Sequence, residues 1–244
     1  MKDWKPKTRL GRLVAEGAVT SLDDILDSGI PILEPEIVDR LLPSLKSEIV
    51  LIGGSPGKGG GIRRTPTRRT ARMHRSGRRY TSSAMVVAGN QDGYFGIGTA
   101  SAHEHRVALE KALSDAKRNM IRVLRGCGSW DCNCNGMHSI PVRATGKAGS
   151  VRVVLLPAPK GIGLACHDEG KKIMRLAGIR DIWSKTYGES RSHLNYVRAV
   201  YDAFKTINRM KRGAHEAVAS TDDVSEAKKP KRKRIKTAAD SEVA

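Results

Sequence analysis

Cys127, Cys132, Cys134 and His138 fall in one short stretch, in the order Cys-x4-Cys-x-Cys-x3-His. Thiolate sulfur and imidazole nitrogen are donors that zinc favours, and three of one with one of the other complete a tetrahedral shell. In a reducing compartment such a cluster is rarely a set of disulfides. The order differs from the paired Cys-x2-Cys knuckles of standard zinc modules, so reduced, merely packed thiols are the competing reading. Cys166 is a distant fourth thiol that could replace His138, or be a small buried apolar residue.

A second group of residues speaks to phosphate. The run Gly53-Gly54-Ser55-Pro56-Gly57-Lys58-Gly59-Gly60-Gly61 is followed by Arg63, Arg64, Arg68, Arg69, Arg72, Arg75, Arg78 and Arg79, with no acidic residue among them. Ordinary solvated surfaces mix both signs of charge. An acid-free run of guanidinium groups on a glycine-rich segment instead suits phosphate oxygens, which planar Arg donors engage in pairs. Lys58 and these arginines are therefore candidate RNA-binding residues. The absence of apolar periodicity from Gly53 onward predicts a flexible loop, ordered only when phosphates offset its charge.

Other groupings fail as enzyme sites. The run at Gly53 resembles a phosphate-binding loop, but Ile52 stands where that pattern needs a glycine. Gly59 also stands where it needs the hydroxyl that binds magnesium. Gly96-Ile97-Gly98 leads from a strand toward a helix, yet Ser101 replaces the third glycine of a dinucleotide site. His103 and His105 lack the four-residue spacing that puts two ligands on one helical face. The sequence predicts no catalytic residues and no nucleotide cofactor.

Composition agrees. The 244 residues carry 44 Lys plus Arg against 25 Asp plus Glu, a net charge of +19. Such an excess calls for a polyanion, nucleic acid first and an anionic membrane second. No apolar run reaches the roughly 18 residues of a membrane span, and the start Met1 to Pro6 lacks the apolar core of a signal peptide. The expectation is a soluble, intracellular protein. Aromatics at 4% argue against a base-stacking surface, while 39% hydrophobic residues suffice for folded domains.

The elements that must hold these residues can be read from periodicity. Residues 1–33 form an arm with a short amphipathic segment at Leu22, Ile25 and Leu26, suited to wrapping a partner or a neighbouring domain. Pro35 opens a helix carrying Ile37, Val38, Leu41, Leu42 and Leu45, which Pro43 kinks or ends early. A strand is expected at Ile49 to Ile52, then a hairpin of Tyr80 to Ala88 and Tyr94 to Ile97. A long helix from Ala102 to Leu124 follows, with Val107, Ala112, Ala116, Met120 and Val123 on its buried stripe. Helix, strand, strand, strand, helix is the order of a double-stranded RNA-binding domain, here residues 34–125 with an Arg-rich loop at 53–79. A Cys-rich connector, 126–138, leads to an α/β domain at 139–212. Its expected elements are a strand at Val151 to Leu156, a helix at Gly170 to Ala177 ending on Gly178, a strand at Ile179 to Trp183 and a last helix. That helix carries Leu194, Val197, Val200, Phe204 and Ile207, with Ser192 as N-cap. Residues 213–244, with Lys228-Lys229-Pro230-Lys231-Arg232-Lys233-Arg234, read as a disordered basic tail. The fold class is two-domain α+β.

Several stretches carry a resemblance. Ser76-Gly77-Arg78-Arg79-Tyr80, Ala84 to Asn90, Gly93-Tyr94-Phe95-Gly96-Ile97-Gly98 and Ala112 to Arg122 resemble the core of the small-subunit ribosomal protein S5 family. Arg125 to Cys132 is similar to its archaeal branch in particular. Thr145 to Val151, Leu156 to Gly161 and Ala177 to Trp183 are similar to its second domain. The resemblance runs from about Pro35 to Ile207. It implies a structural constituent of the ribosome, cytoplasmic and ribosome-bound, with a left-handed crossover in the second domain. It further implies contact with rRNA through Gly77, Arg78 and Arg79 near the head–body junction and where messenger RNA enters. Ribosomal proteins S4 and S8 are the implied neighbours, and support of assembly and translational accuracy the implied role. The Gly53 to Arg69 segment is longer and richer in Arg than in most relatives. A free double-stranded-RNA-binding regulator and a nucleotide-dependent enzyme on RNA are the alternatives to test.

Overall fold

The computed structural model describes residues 4–134 and 136–210; the expected basic tail at 213–244 lies outside the described residues. The arm forms two short helices, α1 (Arg9–Glu16) and α2 (Leu22–Ser28). Thr8 and Ser21 cap them by accepting the backbone N–H groups of Gly11 and Asp24, and Gly17 and Gly29 end them in the left-handed region. The arm folds back on its own chain. Leu10, Val14, Leu22 and Ile25 pack with Met120 and with Ile37 and Val38 of α3 (Pro35–Leu41). The Glu34 carboxylate ties the start of the arm down, accepting from Trp4 Nε1 and from the Lys7 and Thr8 amides at 2.6–2.9 Å. Pro43 does stop α3 early, so Leu45 is not helical.

Strand β1 (Lys46–Ile49) runs antiparallel to the inner half of β5 (Gly77–Gly89), three residues earlier than the apolar run Ile49–Ile52 suggested. That run is apolar because Val50 is a fully buried core residue beyond the ladder. The Arg-rich segment departs further from expectation. It is not a loop but β2 (Gly53–Pro56), β3 (Ile62–Thr65) and β4 (Thr67–His74), with β2 paired to β3 and β4 paired along the outer half of β5. Periodicity missed these strands because solvent surrounds them; past Thr67 every residue of β4 is exposed, so no buried face leaves an alternating mark.

Strand β6 (Tyr94–Ala102) pairs with β5, and β7 (Met120–Arg122) closes the sheet in the order β1-β5-β6-β7. The helix expected over 102–124 is only α4 (His105–Arg118). Met120 continues the helical spacing of Ala112 and Ala116, yet the free edge of β6 offers backbone partners and captures it as a strand. Helix α4 lies close on the sheet because Gly96 and Gly98 face it. A Cβ on Gly98 would strike the Ala112 carbonyl and the Ala116 amide. Those two glycines are packing residues, which disposes of the nucleotide-site reading in physical terms.

The second sheet has the order β10-β11-β9-β8. Its strands are β8 (Ala144–Ala148), β9 (Val151–Pro157), β10 (Leu164–Ala165) and β11 (Ile182–Tyr187), with α5 (Asp168–Ala177) crossing between the parallel pair β10 and β11. Gly178 and Ile179 close α5 through bonds to the Arg175 and Met174 carbonyls. Ile179 thus belongs to a helix cap, and β11 begins three residues later than its apolar run suggested. Helix α6 (His193–Asn208) covers β8, and Gly146 repeats the device of Gly98, lying under the Ala199 carbonyl. Ser192 is the N-cap residue, though its side chain makes no capping bond.

Strand β5 is buried on both faces from Ala84 to Gly89. Ala84 and Val86 face α4, whereas Met85 and Val87 join Phe95 and Ile97 in a core shared with α5, β9 and α6. Phe95 stands edge-on to Tyr201 and Phe204, with ring centroids 5.9 and 5.3 Å away. The two sheets therefore share one apolar interior.

Candidate nucleic-acid interface and metal centre

The outer half of the β4–β5 hairpin extends beyond the sheet as a two-stranded ribbon, roughly 20 Å long from the strand rise per residue. Its register sets Arg69 opposite Ser82, Ala71 opposite Tyr80, Met73 opposite Arg78 and Arg72 opposite Arg79. Side chains of paired residues share a face. One face carries Arg68, Arg72 and Arg79 with Thr70 and Thr81. The other carries Arg69, Arg78, Met73 and Tyr80, and there the Arg69 guanidinium lies 3.7 Å over the Tyr80 ring. Like charges directly opposite in a ladder are destabilising, and no acidic residue occurs between Ile49 and Gln91 to relieve them. Arg75 and Ser76 form the tip, where Gly77 takes a positive φ of 101° to turn the chain.

The remaining candidates lie nearby in sequence but not on the ribbon. Lys58 sits exposed in the β2–β3 turn, and Arg63 and Arg64 are on β3. Arg64 donates to the Arg191 carbonyl at 3.2 Å, which holds β3 against the start of α6. His105 Nδ1 is 2.7 Å from the Thr67 hydroxyl, while His103 Nδ1 faces the Tyr80 carbonyl at 3.2 Å. The two imidazoles serve separate local bonds and make no metal pair.

The Cys–His stretch does converge. One ligand atom from each of Cys127, Cys132, Cys134 and His138 lies within 4.8 Å of the other three. His138 Nε2 is 3.0 Å from Cys134 Sγ and 3.7 Å from Cys132 Sγ, and the two sulfurs are 3.0 Å apart. Tetrahedral zinc with these donors needs ligand atoms about 3.5–3.8 Å apart, so small shifts would form the shell. Cys166 is outside the group; it packs against the shared core, where burial pushes its thiol up to about 11. It is His138, and not Cys166, that lies with the three clustered sulfurs.

Groups the sequence did not point to hold this cluster. His138 is buried, and its Nδ1 stands 2.9 Å from Asp181 Oδ2, leaving Nε2 toward the sulfurs. Asp181 is fixed in turn by the Gly161 and Gly163 amides, both donating to Oδ1 at 3.1 and 2.8 Å. The Cys132 thiol is lowered to about 6, chiefly by its bond with Cys134 and then by the Lys160 backbone N–H. Burial raises Cys127 to about 11. Arg125, adjacent in sequence and a natural candidate to favour thiolates, is instead turned to Asp92 at 2.6 Å. Asp181 lies 43 residues beyond His138, so only the return of the α5–β11 turn could reveal it. Trp130, in the same stretch, is 94% exposed.

Comparison with known proteins matches two domain descriptions in the expected order. Residues 66–124 match the N-terminal domain of ribosomal protein S5, and residues 146–217 match its C-terminal domain. "Small ribosomal subunit protein uS5" of Methanothermobacter thermautotrophicus is 46% identical over 211 residues, covering 86% of this chain and 91% of that protein. The protein of that name from Methanocaldococcus jannaschii is 47% identical over 206 residues, with 84% and 88% covered. That of Staphylothermus marinus is 45% identical over 205 residues, with 84% and 89% covered. Taken with the two-domain α+β fold, these matches settle the family: the chain belongs to ribosomal protein S5, in its archaeal form.

Proposed function

We propose that this chain is a structural constituent of the small ribosomal subunit, grips small-subunit rRNA with its arginine ribbon, and catalyses no reaction. The observation that carries the RNA contact is the ribbon itself, with Arg72 set opposite Arg79 and no acidic residue in the sequence of β3 to β5. Such a ribbon is stable when phosphates supply the missing negative charge. Lys58, Arg63, Arg64, Arg68, Arg69, Arg72, Arg75, Gly77, Arg78 and Arg79 are the RNA-facing residues, carried by a first domain at 34–125. A second domain at 139–212 anchors it. The ribbon reaches the head–body junction and the region where messenger RNA enters, with proteins S4 and S8 as neighbours, and supports assembly and translational accuracy in the cytoplasm. The reading as a free regulator of double-stranded RNA gives way, because the relatives are named for the small subunit.

In the same proposal Cys127, Cys132, Cys134 and His138 hold one zinc ion. Convergent thiols and a carboxylate-oriented imidazole are the donor set and outer support such a site needs. Bound zinc supplies structural cross-linking, joining the 127–134 stretch to the Gly161–Gly163 loop through His138 and Asp181. The test of the main reading is a gradient of cell lysate in high salt. The protein should sediment with the small subunit, and a peak free of subunits would overturn the reading.

A further inference from the structure

A cleft of about 730 Å³ lies where β3 and β4 meet the first turns of α4 and α6. Arg64, Arg68, Arg69 and Arg191 line it together with His105 and His193, and no acidic residue does. Among the described residues, none of these four arginines takes part in an ion pair. The bond from Arg64 to the Arg191 carbonyl draws the second domain's arginine toward those of the first. Arg69 is stacked on Tyr80, which leaves the in-plane N–H groups at its rim free to donate. The N-cap residue of α6, Ser192, makes no side-chain capping bond, so the amides of that first turn add positive potential to the cleft. Packing does not require this concentration of charge, since Arg68, Arg69 and Arg191 are all exposed.

We propose that the cleft is a second RNA seat, in which consecutive phosphates of one strand are held between the two domains by Arg64, Arg191 and the two β4 arginines, Arg68 and Arg69. Those two reach it from opposite faces of that edge strand. It rests on the RNA-binding reading above and deepens it, because Arg191 and the start of α6 belong to no part of the ribbon. A phosphodiester strand fits better than a compact anion because the cleft opens to solvent, so a chain can run through it. Its arginines also come from three separate places, β3, β4 and the turn before α6, instead of converging on one point.

The test uses the full chain and a transcript of small-subunit rRNA, with affinity measured across a salt series. Arg191→Ala should weaken binding about three- to tenfold and make the slope of log affinity against log salt less negative by about 0.7–0.9, the value for one lost phosphate contact. Arg191→Lys should restore the slope. Arg78→Ala with Arg79→Ala should add its own loss independently, since the tip and the cleft are separate. If the wild-type chain binds the transcript without salt dependence, the RNA-binding reading itself fails. If the ribbon variant loses affinity while Arg191→Ala keeps both affinity and slope, the cleft proposal alone is overturned. A third arm adds ATP or poly-glutamate as competitor. A competitor that wild type binds and Arg191→Ala does not, with RNA binding unaffected by the substitution, would assign the cleft to a compact or peptide anion and overturn the RNA seat.

Discussion

His138 is held from both sides, with Asp181 at Nδ1 and the Cys132 and Cys134 sulfurs at Nε2. This arrangement predicts a graded response. Wild-type protein purified under reducing conditions should carry about one zinc per chain by elemental analysis, and Cys132→Ser should carry none. Asp181→Asn keeps an acceptor for Gly161 and Gly163 but removes the carboxylate from the imidazole, so zinc affinity should fall about 10- to 100-fold in a chelator competition. Metal retained after loss of both Cys132 and Cys134 would show that the thiols are packing residues. A second histidine gives a pH prediction. Burial lowers the His193 imidazole below its ordinary 6.5, with Arg64 and His167 adding to the effect and the Leu51 carbonyl and Glu169 opposing it. The unfolded chain therefore takes up the proton more readily than the folded one. The stability this contributes is complete above pH 6.5 and is lost as pH falls through the lower, folded-state value. His193→Asn should flatten the fall in melting temperature as pH drops below 6.5.

At the scale of elements, the ribbon and the helix-to-strand switch at Asn119 make opposite demands. Arg78 and Arg79 lie on the exposed half of β5. Replacing both with Ala should leave stability within about 0.5 kcal/mol of wild type, as is usual for surface sites. Affinity for rRNA should fall, and the salt slope should become less negative by about two contacts' worth. Unchanged affinity would remove the ribbon tip from the interface. Met120→Asp should instead unfold the arm side of the first domain. Met120 is buried on β7 beneath Leu10, Val14 and Ile25, and an unpaired carboxylate there costs several kcal/mol or forces its own protonation. A thermal melt unchanged from wild type would show that this face is solvated. The physical contrast is solvent access: the ribbon tolerates charge because water reaches it, while Met120 of β7 is covered by the arm.

For the molecule as a whole, the shared interior decides how the two sheets are coupled. Phe95 from the first sheet is enclosed by Tyr201 and Phe204 of α6. Phe95→Ala should cost about 3–5 kcal/mol, and the loss should appear in a single unfolding transition that includes both sheets. Two separate transitions would mean that each half unfolds alone. The same interior limits the role left to the metal. The Cys-rich connector does not have to make a floppy joint rigid, because Met85, Val87, Phe95 and Ile97 already pack on α5 and α6. Removing zinc should therefore loosen the 127–138 stretch and the Gly161–Gly163 loop, measured as faster amide exchange there, while the global transition persists.

What the sequence determined by itself were the quantities carried by residue identity and short spacing. The acid-free arginines, the four clustered Cys and His residues, the α6 stripe from Leu194 to Ile207, the Gly178 stop and the order of the family's motifs are legible because each lies within a few turns or strand residues. Burial on one side also leaves a periodic trace. Tertiary structure decided what depends on partners far along the chain. The Arg segment became β2, β3 and β4 because β5 and its own hairpins satisfy its backbone groups, although it has no buried face to show a period. Met120 became a strand because the edge of β6 was open, and Ile179 became a helix cap because Gly178 turned back on α5. Asp181 reached His138, and Arg191 reached Arg64, through chain returns of 43 and 127 residues. Local propensity carries no information about such contacts, since the free energy that selects them comes from closing one core between two sheets.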